Sequence, residues 1–306
     1  MSHKLFESTR FLRILESMIR IIWICYALFL SFPEILLSSQ EPVLILTHSY
    51  NRPDFIEIQH RTFQKFFQDP YTFWVFNDAP EETMAQEIEA VCARCGVSCV
   101  RIPQSIHTQP YLSRKPDDDW QNPAVRCANV VQYSLDTLGF SHPGLVLLID
   151  ADMFLIRDFS LIQTLQETPL AGVPQQRAHI SYVWNGLLFF NMKTLPDKET
   201  LNFNCTSIDG IALDVGGATY PYFQSHPKLP FFPIDNLYLA KWSTLTNHQK
   251  TFPDLEWLFD QQPQEIEFLL DYTFLHYRSG SNWNARDPEY HRIKTDILYK
   301  FIEKIL

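Results

Sequence analysis

The sequence has no excess of positive charge. Its 25 lysines and arginines are outnumbered by 35 aspartates and glutamates, so the 306-residue chain has a formal net charge of -10. Proteins that hold nucleic acid or anionic lipid by bulk electrostatics need a positive face. The composition therefore argues against a nucleic-acid partner. A phosphate-bearing ligand would need local help in so acidic a chain, such as a metal ion.

Cysteine is scarce, with six residues in the whole chain. Cys92, Cys95 and Cys99 have the spacing of half a zinc site, but no second CxxC pair follows, and Gly96 occupies the position of a helix cap. A structural zinc site normally needs four ligands at recognisable spacing. The sequence therefore favours free thiols over a zinc site.

The sequence also lacks an uninterrupted apolar run of the ~20 residues that span a bilayer. The apolar run IIWICYALFLSF ends at Pro33 and follows Lys4, Arg10, Arg13 and Arg20. We predict a basic and apolar helix within residues 1–40 that can contact a membrane and so makes the protein membrane-associated. If this helix spans, its basic end stays in the cytoplasm and the remaining chain lies in a Golgi-type lumen. Otherwise the protein works at the cytoplasmic face of a membrane.

Strand-like and helix-like segments alternate from Glu41 onward. The strand candidates are VLILTHSY, YTFWVFND, VSCVRIP and LVLLI, and amphipathic helix patterns lie between them. This alternation predicts an α/β fold with a Rossmann-like, mostly parallel sheet and helices on both faces. We place this domain at residues 41–290, between the N-terminal helix and a C-terminal amphipathic helix at residues 291–306. That last helix could also touch a membrane, although packing on the domain is the commoner fate.

Two carboxylates follow the fourth strand candidate, at Asp150 and Asp152. In parallel sheets, ligands bind outside the carboxyl ends of the strands. Carboxylates at i and i+2 can both reach a divalent cation there, and oxygen ligands suit Mn²⁺ or Mg²⁺. The alternative is a solvated turn or a pair of helix caps, because the motif is short.

These segments resemble the GT-A nucleotide-diphospho-sugar glycosyltransferases over roughly residues 41–283. The segments that carry the resemblance are ILTHSYNRPDF, VFNDA, LLIDADMFLI, YVWNGLLFFNM and FLHYRSGSNW. The resemblance implies a GT-A type fold in which the DxD motif, Asp150 and Asp152, bridges a cation to the donor diphosphate. It also implies that the first two strand ends hold the nucleotide, through Thr47, Tyr50, Arg52 and Asp78.

The late segment FLHYRSGSNW is similar to a loop that, in several such families, adds a metal ligand and touches the diphosphate. The resemblance therefore implies metal ligation by His276 and sugar or diphosphate contacts by Arg278, Gly280 and Trp283. His276 also has an alternative interpretation as a hydrogen-bonded core histidine. A neutral imidazole suits Mn²⁺.

The stereochemistry of the reaction stays open. SYNRPDF resembles the large inverting group of this fold, whereas NGLLFFNM and the late histidine resemble the glycogenin-like retaining group. The late loop of that second group contains a lysine that HYRSGSNW lacks, and Arg278 could supply the missing charge. An inverting enzyme needs a carboxylate base, for which Asp214 and Asp235 are candidates. Asp214 could instead belong to an ordinary turn, and Asp235 could cap a helix.

Four further residues complete the predicted site. Asn185 and Gly186 either shape the sugar pocket or form a bulge where a strand bends. Arg126 and Asn129 lie one helical turn apart, so both could face the donor nucleotide, or both could lie at the surface.

The sequence therefore predicts a metal-dependent glycosyltransferase that uses Mn²⁺ or Mg²⁺. Its substrates would be a nucleotide-diphosphate sugar donor and a hydroxyl acceptor on a glycan, a lipid or a protein. Two alternatives stay open. A nucleotidyltransferase would favour a glycine-rich phosphate loop after the first strand, and THSYNRPDF has no glycine. A non-catalytic carbohydrate-binding protein would not need the paired carboxylates.

Overall fold

The computed structural model describes residues 41–108, 122–238, 246–247, 250, 252–261, 266–281 and 287–306. The chain divides into two units, Met1–Gln40 and Glu41–Leu306, and the described residues all belong to the second. The predicted helix within residues 1–40 lies outside the described residues. Within the described part of the chain, no helix is both long and apolar enough to cross a bilayer.

The central sheet contains seven strands. In chain order they are β1 (Val43–Ser49), β2 (Tyr71–Asn77), β3 (Ser98–Arg101), β4 (Leu145–Ile149), β6 (Leu170–Arg177), β7 (Ile180–Asn191) and β10 (Phe231–Pro233). Their spatial order is β10-β6-β7-β4-β1-β2-β3. β7 pairs antiparallel with both β4 and β6, and the other neighbouring pairs are parallel. The predicted mostly parallel α/β sheet is therefore confirmed.

A second sheet contains four strands, β5 (Met153–Leu155), β11 (Asn236–Tyr238), β12 (Glu267–Leu269) and β13 (Phe274–His276). Their spatial order is β11-β12-β13-β5, and all neighbours are antiparallel. A two-stranded hairpin joins β8 (Thr206–Ile208) to β9 (Ile211–Leu213). Because β5 follows β4 after a short turn, the second sheet begins at the carboxyl end of the central sheet.

Helices complete the unit. They are α1 (Pro53–Phe66), α2 (Glu82–Cys95), α3 (Pro123–Ser134), α4 (Leu161–Leu165), α5 (Tyr220–Ser225), α6 (Pro253–Asp260) and α7 (Pro288–Ile305). α1 and α3 begin with proline in the first turn, where the missing N–H group costs no hydrogen bond. α2 ends at Gly96, whose φ of 68° is the left-handed conformation that glycine adopts readily. The predicted cap at Gly96 is confirmed.

The core lies on both faces of the central sheet. Along β1, Val43 and Ile45 pack in the same cluster as Phe63 of α1, whereas Leu44 and Leu46 pack in the cluster that contains Val131 of α3. Burial on both faces explains why β1 and β4 are nearly continuous apolar runs without alternation. A third cluster joins the second sheet to α6 and α7. The C-terminal helix thus packs within the same compact unit.

Candidate metal and donor site

The turn after β4 positions the two carboxylates. The amide of Met153 donates to the carbonyl of Asp150 at 3.2 Å. The buried side chain of Gln59, on α1, donates its amide hydrogens to the carbonyls of Asp150 at 2.9 Å and Met153 at 2.7 Å. These bonds hold the backbone of the turn that contains Asp150 and Asp152.

Strand β13 brings the late histidine to this turn. His276 is paired with Met153 across the antiparallel β13 and β5 strands. Its Nε2 atom lies 3.2 Å from Oδ1 of Asp152, and the other carboxylate oxygen accepts the amide of Gly280 at 2.7 Å. The amide of Tyr277 donates to the carbonyl of Asp152 at 2.8 Å. The late loop and the DxD turn therefore form one hydrogen-bonded assembly.

The second nitrogen of His276 has its own carboxylate partner. Nδ1 lies 2.9 Å from Oε2 of Glu267, and Glu267 also accepts a hydrogen bond from Asn236 at 2.7 Å. A carboxylate on the far nitrogen orients an imidazole and fixes which nitrogen faces a metal. Glu267 is absent from the sequence-based prediction. Glu267 is brought to His276 by the register Glu267↔His276 between β12 and β13, and the sequence contains no signal of this pairing.

These contacts shift the acid–base properties of the pair. Burial would lower the pKa of His276, but the carboxylates of Asp152 and Glu267 outweigh it and raise that pKa to about 9. Burial would raise the pKa of Asp152, but His276, the Gly280 amide and Lys294 lower it to about 2. Before a metal binds, the site thus holds an imidazolium between ionised carboxylates.

The donor set fits a divalent cation. One ligand atom from each of Asp150, Asp152 and His276 can be chosen so that all three lie within 4.8 Å of one another. Two carboxylates and an imidazole suit Mn²⁺, and Mg²⁺ would rely mainly on the carboxylate oxygens. The structure therefore brings together the three residues that the sequence predicted as metal ligands.

A cavity of about 470 Å³ opens beside these three residues. This volume is within the range of pockets that take small-molecule ligands. On the side formed by the ends of β1 and β2, Tyr50, Asp78 and Arg126 line the cavity. Arg126 donates to both carboxylate oxygens of Asp78, at 2.6 and 3.0 Å, and its guanidinium lies 4.9 Å from the Tyr50 ring centre. Three predicted nucleotide residues are thus brought together.

Two other predicted nucleotide residues are buried and do not line the cavity. Asn129 is buried and its amide nitrogen lies 3.3 Å from Nδ1 of His107, whose other nitrogen lies 2.8 Å from Asp78. Thr47 is buried in β1. Neither side chain is among the residues that line the cavity. Asn129 thus supports Asp78 through His107.

Arg52 lies apart from the cavity. Its guanidinium forms two hydrogen bonds with Asp54, at 2.6 and 2.9 Å, and covers the Phe55 ring at 3.4 Å. Arg52 lines a separate cavity between the start of α1 and helix α7. The structure therefore does not bring Arg52 to the predicted nucleotide site.

The Asn185–Gly186 segment forms an irregularity in the sheet. The pairing of β6 with β7 shifts between Gly172 and Val173, which places extra residues on β7 at this point. A Cβ atom on Gly186 would lie 2.1 Å from the Trp184 ring, so only glycine leaves space for the indole. Trp184 lines the cavity, with its ring 5.2 Å from His276. Asn185 instead points to Cys127, at 3.4 Å from the sulfur.

The late loop gives the cavity a positive side chain. Arg278 lines the cavity, and its guanidinium lies 4.3 Å from the Tyr238 ring centre. Arg278 and the following Ser279 both have left-handed backbone conformations, with φ of 63° and 58°, so the loop turns sharply after β13. Trp283 lies outside the described residues.

Lys294, on helix α7, holds the loop that follows β13. Its buried ammonium donates to the carbonyl of Tyr277 and lies 3.4 Å from the carbonyl of Arg278. The same ammonium lies 4.0 Å from the Tyr277 ring centre. The prediction from sequence missed Lys294, because nothing in the pattern of α7 shows that this lysine points inward.

The two candidate bases lie elsewhere. Asp214 is about half exposed and faces Arg177 at 3.7 Å. Asp235 is exposed and lies between β10 and β11, so it caps no helix, contrary to the alternative stated above. Neither residue lines the cavity. The carboxylates among the described lining residues are Asp78, Asp150 and Asp152, each already in contact with a basic side chain.

Substitution of Gly280 tests the fit of the late loop against Asp152. A Cβ atom there would lie 2.6 Å from Cβ of Asp152 and 2.8 Å from the Phe55 ring. We expect Gly280→Ala to displace the loop, to lower the free energy of unfolding by about 1–3 kcal/mol and to weaken Mn²⁺ binding. Urea unfolding and Mn²⁺ titration measure both effects. Gly144→Ala is the control, because its Cβ would meet side-chain atoms at 3.2 Å or more.

The affinity for Mn²⁺ should rise with pH. Below its pKa of about 9, His276 is protonated in the metal-free protein, so Mn²⁺ must displace a proton. We expect the affinity to increase by about tenfold per pH unit from about pH 6.5 to 8.5 for each displaced proton. Mn²⁺ titrations followed by electron paramagnetic resonance measure the slope. His276→Gln should bind more weakly and with a slope lower by one proton, and an unchanged slope would contradict ligation by His276.

The sequence matches no family model and no curated protein. Solved structures of a galactosyltransferase, LgtC, match at 14% identity and a TM-score of 0.33. One is a complex with donor and acceptor sugar analogs and the other an active-site mutant. The match covers 50% of this chain and 59% or 58% of those chains. The mostly parallel central sheet and the position of the carboxylates after β4 agree with the GT-A type fold that the sequence predicts.

Proposed function

We propose that the protein is a metal-dependent glycosyltransferase that moves a sugar from a nucleotide-diphosphate donor to a hydroxyl group of a glycan, a lipid or a protein. The observation that supports this proposal most directly is the convergence of Asp150, Asp152 and His276 beside one cavity. In a chain with a net charge of -10, a diphosphate needs a cation at such a point.

Asp150, Asp152 and His276 are the residues that would hold the cation. When bound, Mn²⁺ or Mg²⁺ supplies Lewis-acid stabilisation of negative charge on the departing nucleoside diphosphate. Gly280 and Glu267 keep Asp152 and His276 in position, through the 2.7 Å and 2.9 Å contacts described above. These partners are in place in the metal-free protein, so binding would require loss of the His276 proton and separation of the His276–Asp152 pair, with the supporting contacts already made.

The donor would lie along the cavity from the strand ends to the late loop. Tyr50, with Arg126 across its face, offers a stacking surface for a flat base. Asp78 is held by Arg126 at one end of the cavity and can accept a hydrogen bond from a ribose hydroxyl. Arg278, at the other end, would face the diphosphate and assist its departure.

Purified protein incubated with a panel of nucleotide sugars tests this proposal. We expect slow hydrolysis of one donor that depends on added Mn²⁺, because water can replace the acceptor. Release of the nucleoside diphosphate and free sugar is measured by chromatography. Hydrolysis between the two phosphates would instead favour the nucleotidyltransferase alternative, and failure of every donor to bind or react would favour a non-catalytic carbohydrate-binding protein.

Membrane association through residues 1–40 stays a prediction. Sedimentation of the full chain with lipid vesicles measures it. The matched control is a chain in which the apolar residues of the segment 21–32 are replaced by serine, and equal sedimentation of the two chains would contradict the prediction.

A further inference from the structure

A second group of metal-binding side chains lies on the same cavity. It consists of His48 near the end of β1, Cys127 on α3 and Asp150 after β4, and one ligand atom from each can be chosen so that all three lie within 4.8 Å of one another. All three residues line the cavity. The proposed glycosyl transfer uses Asp150 but neither His48 nor Cys127.

Two distances within this triad are close to those of tetrahedral coordination. Nε2 of His48 lies 3.7 Å from Sγ of Cys127 and 3.1 Å from Oδ1 of Asp150. A tetrahedral Zn²⁺ ion with ordinary bond lengths separates a nitrogen and a sulfur ligand by about 3.6 Å, and a nitrogen and an oxygen ligand by about 3.3 Å. Two of the three ligand separations are thus close to the tetrahedral values, and the third, between Cys127 and Asp150, is within 4.8 Å.

Two polar side chains contact the sulfur of Cys127. The buried amide of Asn185 donates toward Sγ at 3.4 Å, and Nε2 of His48 lies 3.7 Å from the same atom. A hydrogen bond to a coordinating sulfur orients it and tunes the metal site. The buried Asn185 therefore acts as an outer partner, a role distinct from the sugar contact predicted from the sequence.

We propose that His48, Cys127 and Asp150 form a binding site for a thiophilic divalent cation, with Zn²⁺ as the expected ion, and that the cavity supplies its fourth ligand as water. On binding, the Cys127 thiol loses its proton to solvent and three protein bonds form to the ion. Nitrogen, sulfur and oxygen ligands together select Zn²⁺ over Mn²⁺, which prefers oxygen. Three protein ligands and one exchangeable position are the arrangement of an open zinc site.

The two sites share Asp150. Zn²⁺ bound to His48, Cys127 and Asp150 withdraws this carboxylate from the group that also contains Asp152 and His276. Zn²⁺ therefore competes with Mn²⁺ for the protein, and low zinc concentrations inhibit any activity that depends on Mn²⁺.

Cobalt(II) absorption spectroscopy on the purified full chain tests the site without an activity assay. Co²⁺ replaces Zn²⁺ in tetrahedral sites, and a thiolate ligand adds a charge-transfer band in the near ultraviolet. We expect this band on addition of one equivalent of Co²⁺, and its loss in Cys127→Ser and in His48→Gln. Cys95→Ser makes the same chemical change on α2, at a residue that does not line the cavity, and should keep the band.

Zinc affinity provides the second measurement. Competition with a chromophoric chelator should show Zn²⁺ binding that is weakened by at least about 100-fold in Cys127→Ser, because even the loss of an outer partner costs 10–100-fold. Asp152→Asn should keep the cobalt band, which separates this site from the Mn²⁺ site. Absence of the band in the native protein, or a band that survives in Cys127→Ser, would overturn the proposal, whatever the result of the donor assay.

Discussion

Replacement of Asp152 by asparagine should reduce Mn²⁺-dependent turnover of the nucleotide sugar by about 1,000-fold or more, equivalent to at least ~4 kcal/mol of transition-state stabilisation. Only about 6% of Asp152 is exposed, and its two oxygens face His276 and the Gly280 amide. Asparagine keeps the shape of the side chain but removes the charge that a cation requires. The amide would also present hydrogens to Gly280 or to an imidazolium, where an acceptor is needed.

Two measurements separate loss of the metal from loss of the fold. Mn²⁺ binding should weaken in Asp152→Asn, while the circular dichroism spectrum remains that of the native protein. The control is Asp209→Asn. Asp209 lies in the β8–β9 turn, and its contact with His179 is exposed to solvent. Full Mn²⁺-dependent turnover by Asp152→Asn would disprove the assignment of the metal site.

Replacement of Lys294 by methionine should lower the free energy of unfolding by about 3 kcal/mol and weaken Mn²⁺ binding by about 10–100-fold. The side chain is 2% exposed, and its ammonium holds the loop through the carbonyls of Tyr277 and Arg278. Methionine fills similar space but leaves those carbonyls without this donor. It also removes a charge that lowers the pKa of Asp152.

The same helix offers a matched control. Lys300 lies on α7 and is exposed, so Lys300→Met makes the same chemical change without disturbing a buried contact. Urea unfolding gives the stability of both variants, and Mn²⁺ titration at a fixed pH gives their affinities. A loss of stability in Lys294→Met without any loss of affinity would show that Lys294 stabilises the core but does not position the site.

The sequence was sufficient for the parts of the site that depend on local pattern. Apolar runs that end in polar residues located β1, β2 and β4, and parallel strands place such ends at one edge of the sheet. The position of Asp150 and Asp152 at this edge could therefore be predicted from the sequence. Metal ligation by His276 was predicted from the resemblance of FLHYRSGSNW to a late loop of the glycosyltransferases, because its place at the end of an apolar run fits a core histidine as well.

The rest of the site depends on pairing between distant segments. Glu267 reaches His276 only because β12 and β13 pair in one register, and a slip by one residue would turn the carboxylate to the opposite face. Gln59 and Lys294 lie on helices whose inward faces are set by packing. Asp214 and Asp235 had suitable side chains, but no local pattern shows that their loops lie away from the cavity.

The contact between Asp152 and Gly280 joins residues 128 positions apart, and this separation governs when the site can form during protein synthesis. The parallel strands β1 to β4 emerge from the ribosome first, with the carboxylates of Asp150 and Asp152 and without His276. Contacts between distant segments form late because closing the long intervening loop costs entropy. A nascent chain that stops after β9 therefore has Asp152 without His276 and the Gly280 amide, its partners in the folded protein, and lacks one of the three proposed Mn²⁺ ligands. The proposed Mn²⁺ site is complete only when the final segment is translated, whereas His48, Cys127 and Asp150 are all present before that point.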